Sequence, residues 1–439
     1  MSRTGGSRST RGCRLTRREV LPALGAALAF SACGGSSSPT PPPPPPLSDD
    51  AFLDAVQRAL FLYFWEQASA TTGQVKDRAL AAGNDTRTLS SIAATGFGLT
   101  ALAIGAERGY GDGGAIAARV SATLTFLLDQ SNVNGFYYHF IDMESGARAP
   151  GSEVSSIDTA ILLCGVLTCR AYFQDATIQS LATQIYERID WPWMLNGGTT
   201  FSMGWTPENG FIASRWDTYS ELMMLYLLAI GSTTHPAPAA SWDAFARPTL
   251  SYAGYTYITN PSAPLFIHQY SHAWFDFRNR QDAYANYFDN SVSATLAHRQ
   301  FCLALAPQFA DYQASLWGIS ASDSVNGYTV WGGPPAMGPI DGSIVPCAAG
   351  GSLSFASAEC IAVLRNIQAQ YPRAWQRYGF VDAFNPLTGW YDTDVLGIDA
   401  GITLLMAENE RSGFVWNTFM ANPEALGACA AVGLKPVAS

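Results

Sequence analysis

The sequence predicts an all-α fold, an (α/α)6 barrel or toroid with short β-hairpins in its loops. Three observations predict it. Helical periodicity recurs about twelve times, and several of those stretches are apolar on every side, as helices buried between other helices must be. The segments between them are long and rich in Gly, Pro and aromatic residues. No series of strands alternates with the helices, so a parallel sheet or a (β/α)8 barrel is disfavoured. Helices paired in sequence, with inner ones buried by outer ones, close into a ring whose funnel is lined by inner-helix ends and loops. An open solenoid is the alternative, but no fixed sequence period supports it.

From the N-terminus, residues 1–32 read as an export signal. Arg11, Arg14, Arg17 and Arg18 precede the apolar run Leu21 to Phe30, which is far shorter than the ~20 residues of a membrane-spanning helix. Ser31-Ala32-Cys33 then reads as a lipoprotein cleavage site with Cys33 acylated, and Thr16 to Leu21 resembles the twin-arginine export pattern. Phe30 stands where lipoprotein signals usually carry Leu, which leaves plain secretion as the alternative. Residues 33–48 form a tether, flexible over Gly34 to Ser38 and stiff over Pro41 to Pro46. Residues 49–432 make one large domain and 433–439 a C-terminal tail. The protein is expected outside the cytoplasm as a monomer, on the periplasmic side of a bacterial membrane or at the cell surface, touching the membrane only through its lipid.

Within the domain, helices are expected over Asp49 to Ala68, Ser90 to Arg108, Ala115 to Gln130, Ser155 to Phe173, Thr177 to Ile189 and Asp217 to Ile230. Further ones cover Ser291 to Leu305, Ala356 to Gln370, Asp399 to Asn409 and Pro423 to Ala431, with shorter pieces at Trp242 to Phe245 and Asp311 to Trp317. Among the loops, Phe136 to Ile141 alternates well enough to be a hairpin, while Trp191-Pro192-Trp193 and the His268 to His272 segment read as irregular.

The net charge of −10 becomes more acidic still without the arginine-rich leader, which makes nucleic acid and anionic lipid poor partners. Apart from Cys13 and Cys33, the cysteines at 164, 169, 302, 347, 360 and 429 match no zinc spacing. Several sit in apolar helical runs as small hydrophobes, although Cys347 and Cys360 could pair in an oxidising compartment.

Three apolar helical stretches begin with a lone carboxylate: Asp158 after Ser155-Ser156, Glu221 after Asp217, and Asp399 after Gly397. Each is explicable as a cap or a first-turn acid. Glu221 stands among Trp216, Tyr219, Leu222 and Met223, surroundings that penalise its charge and would suit a general acid, while Asp217 is the better N-cap. Asp392 and Asp394 are competing acids in a turn, and a structural calcium there would be a small surprise. His268 and His272 have the spacing of a zinc pair but lack the Glu of metalloprotease helices, and no Gly-x-Ser-x-Gly elbow or phosphate-binding glycine loop occurs. No metal and no other cofactor is expected. Carbohydrate best uses acids, aromatic faces and neutral donors together. The ligand contacts are therefore placed at Tyr138, His139, Arg215, Trp216, Tyr270, His272, Trp274, Trp331 and Tyr391, with Arg278 and Arg280 as further donors.

Several longer motifs then carry a resemblance. Ser90 to Leu99, Phe136 to Phe140, Ser152 to Ala160, Pro264 to Trp274, Pro346 to Ser352 and Gly397 to Ile402 are similar to the bacterial glucoamylase-like domain, over about residues 50 to 432. The resemblance implies an (α/α)6 barrel and a relationship to glycoside hydrolase family 144, whose members act on β-1,2-glucans. It implies Glu221, in a Tyr-x-Glu setting, as the acid, Asp399 as the candidate base and Asp158 as the acid of the earlier inner helix. The expected function is hydrolysis of β-glucan, foremost β-1,2-glucan, by inversion of an oligo- or polysaccharide substrate. A carbohydrate-binding lipoprotein without turnover, a transglycosylase and a polysaccharide lyase are the alternatives.

Overall fold

The computed structural model describes residues 47–260, 264–334 and 338–437; the expected export signal, Cys33 and all but the end of the tether lie outside them. The α-helices are α1 (Asp49–Glu66), α2 (Ile92–Arg108), α3 (Gly113–Asp129), α4 (Ser156–Tyr172), α5 (Ala176–Glu187), α6 (Trp191–Leu195) and α7 (Met223–Ile230). They continue as α8 (Tyr270–Trp274), α9 (Tyr287–Ala304), α10 (Pro346–Gly350), α11 (Ser357–Gln370), α12 (Gly397–Ser412), α13 (Phe414–Phe419) and α14 (Pro423–Ala431). Ser48, Ser91, Asp112, Ser155, Asp175 and Asn286 accept from the first free N–H groups of α1, α2, α3, α4, α5 and α9. Those groups would otherwise lack partners.

The inner layer closes on itself. α2 packs on α4, α4 on α7, α10 on α12, and α12 on α2 again. Ser271 of α8 ties to the start of α7 by accepting from the Met224 N–H at 3.0 Å and donating to the Glu221 carbonyl at 2.6 Å. Gln269, just ahead of α8, donates to the Ala348 carbonyl of α10 at 3.0 Å. The ring α2-α4-α7-α8-α10-α12 is thus complete, and α1, α3, α5 and α11 lie outside it against their sequence neighbours. Between α7 and α8 a short 3-10 turn, Ala239–Asp243, stands where a full outer helix would be expected.

Sequence decides which helices go inside. α7 is buried at all eight positions, and α2 is buried continuously from Ile92 to Gly105, because neither carries a polar face. Outer α3 and α5 bury only a stripe. α2 and α4 approach so closely that a Cβ on Gly165 would lie 2.1 Å from the Gly96 carbonyl oxygen, which explains glycine at both positions.

Short strand pairs pin the loops where inner helices begin. Leu89–Ser91 pairs with Phe140–Asp142 immediately before α2. Val154–Ser155 pairs with Gly204–Thr206 before α4, and Asp394–Leu396 with Arg78–Leu80 before α12. The carboxylates of Asp158 and Asp399 therefore leave the helices at fixed positions.

Several expectations are corrected. Phe136 to Ile141 does not fold on itself: Phe136–Tyr137 pairs with Asn132–Val133 and Phe140–Asp142 with Leu89–Ser91, because distant partners outcompete the local turn. The helix expected from Asp217 begins only at Met223, with no side-chain cap, since Thr218 bridges to Ala246 and holds the preceding residues extended. Asp217 is therefore not its N-cap. Trp191-Pro192-Trp193 opens α6, with Pro at a first-turn position that needs no N–H, and His268 to His272 runs through two helical turns. The piece expected at Asp311 to Trp317 contains instead a bridge between Gln313 and Leu316. Lys435–Pro436 pairs with Arg280–Gln281. All six cysteines of the domain are buried and free, so Cys347 and Cys360 are not joined. No helix among the described residues is long and apolar enough to cross a membrane.

Candidate active site

A cleft of about 430 Å³ opens beside the start of α7, lined among others by Trp216, Asp217, Glu221, Phe266 and Tyr328. Its size suits a small chain of sugar rings. Glu221 projects from the turn two residues ahead of α7, where its own N–H and the Ser220 hydroxyl favour its charged form. Burial is the chief reason its carboxyl is pushed up to about 7, and the negative charge of Asp158 adds to the rise. At neutral pH a substantial fraction is protonated, the state a general acid needs.

Asp158 lies in the first turn of α4. The Ser155 hydroxyl donates to its Oδ2 at 2.5 Å, and its own N–H donates to Ser155 Oγ at 3.2 Å. His139 joins two acids, with Nδ1 2.9 Å from Glu153 and Nε2 3.5 Å from Asp158. Burial alone would push this imidazole down, but the charges of Asp158 and Glu153 override it and hold it up at about 9. His139 is therefore a cation at neutral pH, flanked by carboxylates.

Asp399, in the first turn of α12, is only 7% exposed. Its carboxyl meets that of Asp382 and the donors Tyr270 and Cys347. Burial pushes the Asp399 carboxyl up, and that of Asp382 well up. Asp392 is also raised by burial, to about 6. Asp394 is engaged by Arg87 through both carboxylate oxygens, at 2.6 and 2.8 Å, which gives it a structural role.

The proposed ligand contacts divide. Trp216 lines the cleft with its indole N–H donating to Ser156 Oγ at 2.9 Å. Arg215 also lines it, but its guanidinium is spent on Thr200 and on the Leu195 carbonyl. Tyr138 is half-buried beneath Arg148, and Tyr391 is stacked on Phe384 with Arg373 above it. Tyr270 is buried between Phe97 and Phe266, with its hydroxyl toward Asp399.

His272, Trp274 and Trp331 are buried and do not line the cleft. Trp274 is fully buried and donates to Thr100, while burial holds His272 neutral among Phe277, Phe288 and Phe355. Trp331 is 4% exposed and donates to Ser322. Arg278 pairs with Asp276 and lies over Trp416.

Three residues outside the expected ligand and catalytic set stand beside the cleft or its candidate carboxylates. Tyr328 is 52% exposed and lines the cleft, on the loop that ends in the aromatic Trp331-Gly332-Gly333 motif, which was its available signal. Glu153 lies five residues before Asp158 and was visible in that motif without its partner His139. Asp382 had no signal, because only folding brings it to Asp399.

Among the described residues, two groups of side chains hold ligand-type atoms within 4.8 Å of one another: His139, Glu153 and Asp158, and Asp323, Asp382 and Asp392. In the first the protonated imidazole already contacts both acids and offsets one of their two charges. In the second Arg78 pairs with Asp323 at 2.5 Å and the Asp323 N–H donates to Asp382 at 2.7 Å. Both are hydrogen-bonded acid clusters and are not assigned as metal ligands.

Known proteins are similar to this chain in sequence and fold. The Glycoamylase family model, described as "Putative glucoamylase", matches residues 213–423, a span that includes Glu221, Asp382 and Asp399. An exo-β-1,2-glucooligosaccharide sophorohydrolase of Parabacteroides distasonis is 26% identical over 419 residues, covering 86% of this chain. The chain spans 57% of that relative's length. An endo-β-1,2-glucanase of Chitinophaga pinensis, solved with sophorotriose and glucose, superposes with a TM-score of 0.81 at 26% identity, covering 89% of this chain and 99% of that one. A Bacteroides uniformis structure with the same description as the family model gives 0.83 at 27% identity, covering 90% and 99%. With its closed ring of inner helices, the chain is an (α/α)6 toroid that is similar to the Glycoamylase family model over residues 213–423.

Proposed function

We propose that this protein is a glycoside hydrolase that cleaves β-1,2-linked glucan with inversion at the anomeric carbon. The observation that carries the reading is Glu221, a carboxyl held up to about 7 by burial in the wall of a cleft of about 430 Å³. Such a group protonates the leaving glycosidic oxygen, while a second carboxylate activates water from the opposite face. Asp399 is assigned as that base, on a different inner helix from the acid. Asp158 serves to hold negative charge near Glu221. The Chitinophaga and Parabacteroides relatives, whose names specify β-1,2-glucans, support the linkage.

The test is linear β-1,2-glucan with product analysis and the anomer observed first by NMR. Glu221→Gln is expected to cut turnover by ~10² to 10⁴ with the fold intact. Near wild-type turnover by this variant on every glucan that the parent cleaves would remove Glu221 as the acid, and a first product of retained configuration would remove inversion.

The same proposal places the protein outside the cytoplasm as a monomer, tethered through residues 33–48 to a lipid on Cys33, with the basic, apolar and small-residue order of the leader as support. Cys33→Ala is expected to move it from the detergent phase to the aqueous phase; equal partitioning of the two forms would rule out acylation.

A further inference from the structure

Asp382 and Asp399 reach one another from separate parts of the chain, the first from the loop after the Gly379–Phe380 strand and the second from α12. They are 3% and 7% exposed and line the same small cavity of about 20 Å³, room for about one water. Asp382 Oδ1 and Asp399 Oδ2 are both buried without a conventional donor. Two ionised carboxylates cannot remain in such contact out of water, whereas one proton between them satisfies both oxygens.

The surroundings decide where that proton rests. Asp399 receives hydrogen bonds from the Tyr270 hydroxyl and the Cys347 thiol, both of which stabilise its charge. Asp382 Oδ2 receives a single backbone N–H, from Asp323 at 2.7 Å, which leaves Oδ1 to carry a hydrogen. The charged and titratable groups facing Asp382 are Asp399 on α12, Cys347 on α10, Tyr328 on its loop, Asp323 and Asp392. Arg78 stands beyond Asp323 and is shared with Asp77. Burial and the neighbouring carboxylates therefore press Asp382 toward its neutral form, and the Arg78 guanidinium is already taken by Asp323 and Asp77.

We propose that Asp382 is the positioning residue of Asp399: it stays protonated and donates a hydrogen bond from Oδ1 to Asp399, so that the pair holds one proton and its single negative charge sits on Asp399. The base thereby keeps one orientation and its charge without a counter-cation. This rests on Asp399 being the base of the proposed hydrolysis, and it adds the residue that prepares it.

Asn is the neutral image of a protonated Asp382: its carbonyl can accept from Asp323 N–H while its NH₂ donates to Asp399. Asp382→Ala supplies neither. On linear β-1,2-glucan, Asp382→Ala is expected to lose roughly 10²-fold in kcat through a misplaced base, and Asp382→Asn to come back to within about tenfold of wild type. A loss in Asp382→Asn as deep as in Asp399→Asn would overturn the proposal, since Asp382 would then be needed ionised.

A second measurement needs no activity. A carboxyl that keeps its proton in the folded state but loses it when unfolded makes stability fall as pH rises above the unfolded value, near 4. The unfolding constant of the wild type is thus expected to grow relative to Asp382→Asn as pH rises above the unfolded value near 4, by up to about tenfold per pH unit. Parallel pH profiles of the two proteins would show that the pair holds no extra proton and would overturn the proposal, whatever Asp382→Ala does. If no form cleaves glucan, the hydrolase reading fails and this measurement still decides the proton.

Discussion

The mouths of α4 and α12 are built alike and charged differently. Each inner helix follows a short strand pair, and each presents an aspartate in its first turn, Asp158 in one and Asp399 in the other. At α4 the acid meets a serine hydroxyl and a protonated imidazole, and it keeps partial contact with solvent at 13% side-chain exposure. At α12 the acid meets a second acid, a phenol and a thiol. An identical local motif is thus turned to different chemistry by what the rest of the ring brings to it. The first arrangement fixes a charge, and the second stores a proton.

The sharpest way to break this contrast is to neutralise each aspartate in turn. Asp399→Asn is expected to cost ~10² to 10⁴ in kcat on β-1,2-glucan. Asp158→Asn should cost at most roughly tenfold, a ~1.4 kcal/mol effect, because its charge acts on Glu221 from a distance. A reversed order would make Asp158 the base and leave Asp399 a structural acid.

A smaller effect should appear in the pH profile. With Glu221 as the acid, kcat/KM falls as pH rises through about 7. The Asp158 charge helps hold that value up, so Asp158→Asn should move the alkaline limb to lower pH. An unmoved limb would mean that the two carboxyls do not sense one another.

The smallest effect concerns stability. His139 is raised when folded, so its contribution is fully present below the unfolded value near 6.5 and is lost as pH climbs through about 9. Between those limits the melting temperature of the wild type should decline relative to His139→Gln, on the order of 2 °C for a partly exposed imidazole. Calorimetry at several pH values checks this, and a constant difference would deny the ion pairs.

Much of this architecture was legible because it depends on local periodicity. The continuous apolar faces of α2, α4 and α7 marked inner helices, and the first-turn acids Asp158 and Asp399 marked the mouths of α4 and α12. The late start of α7 was not legible, since it follows from the bridge between Thr218 and Ala246, a pairing no local pattern announces. The aromatic loops also misled. Trp274 and Trp331 look alike in sequence to Trp216, yet only Trp216 among them reaches the cleft, because the others find buried partners in Thr100 and Ser322. Asp382 escaped for a comparable reason: its meaning lies entirely in its contact with α12.

Closure of the ring has a consequence for how the molecule comes to be. α12 seals against α2 and α1, and Asp394–Leu396 pairs with Arg78–Leu80, so the earliest helices wait for nearly the last part of the domain to be synthesised. Contacts of such sequence separation form slowly and leave apolar helix faces uncovered in the meantime. A nascent chain stalled before α12 would present the bare flank of α2, a surface for chaperones to recognise and for proteases to test.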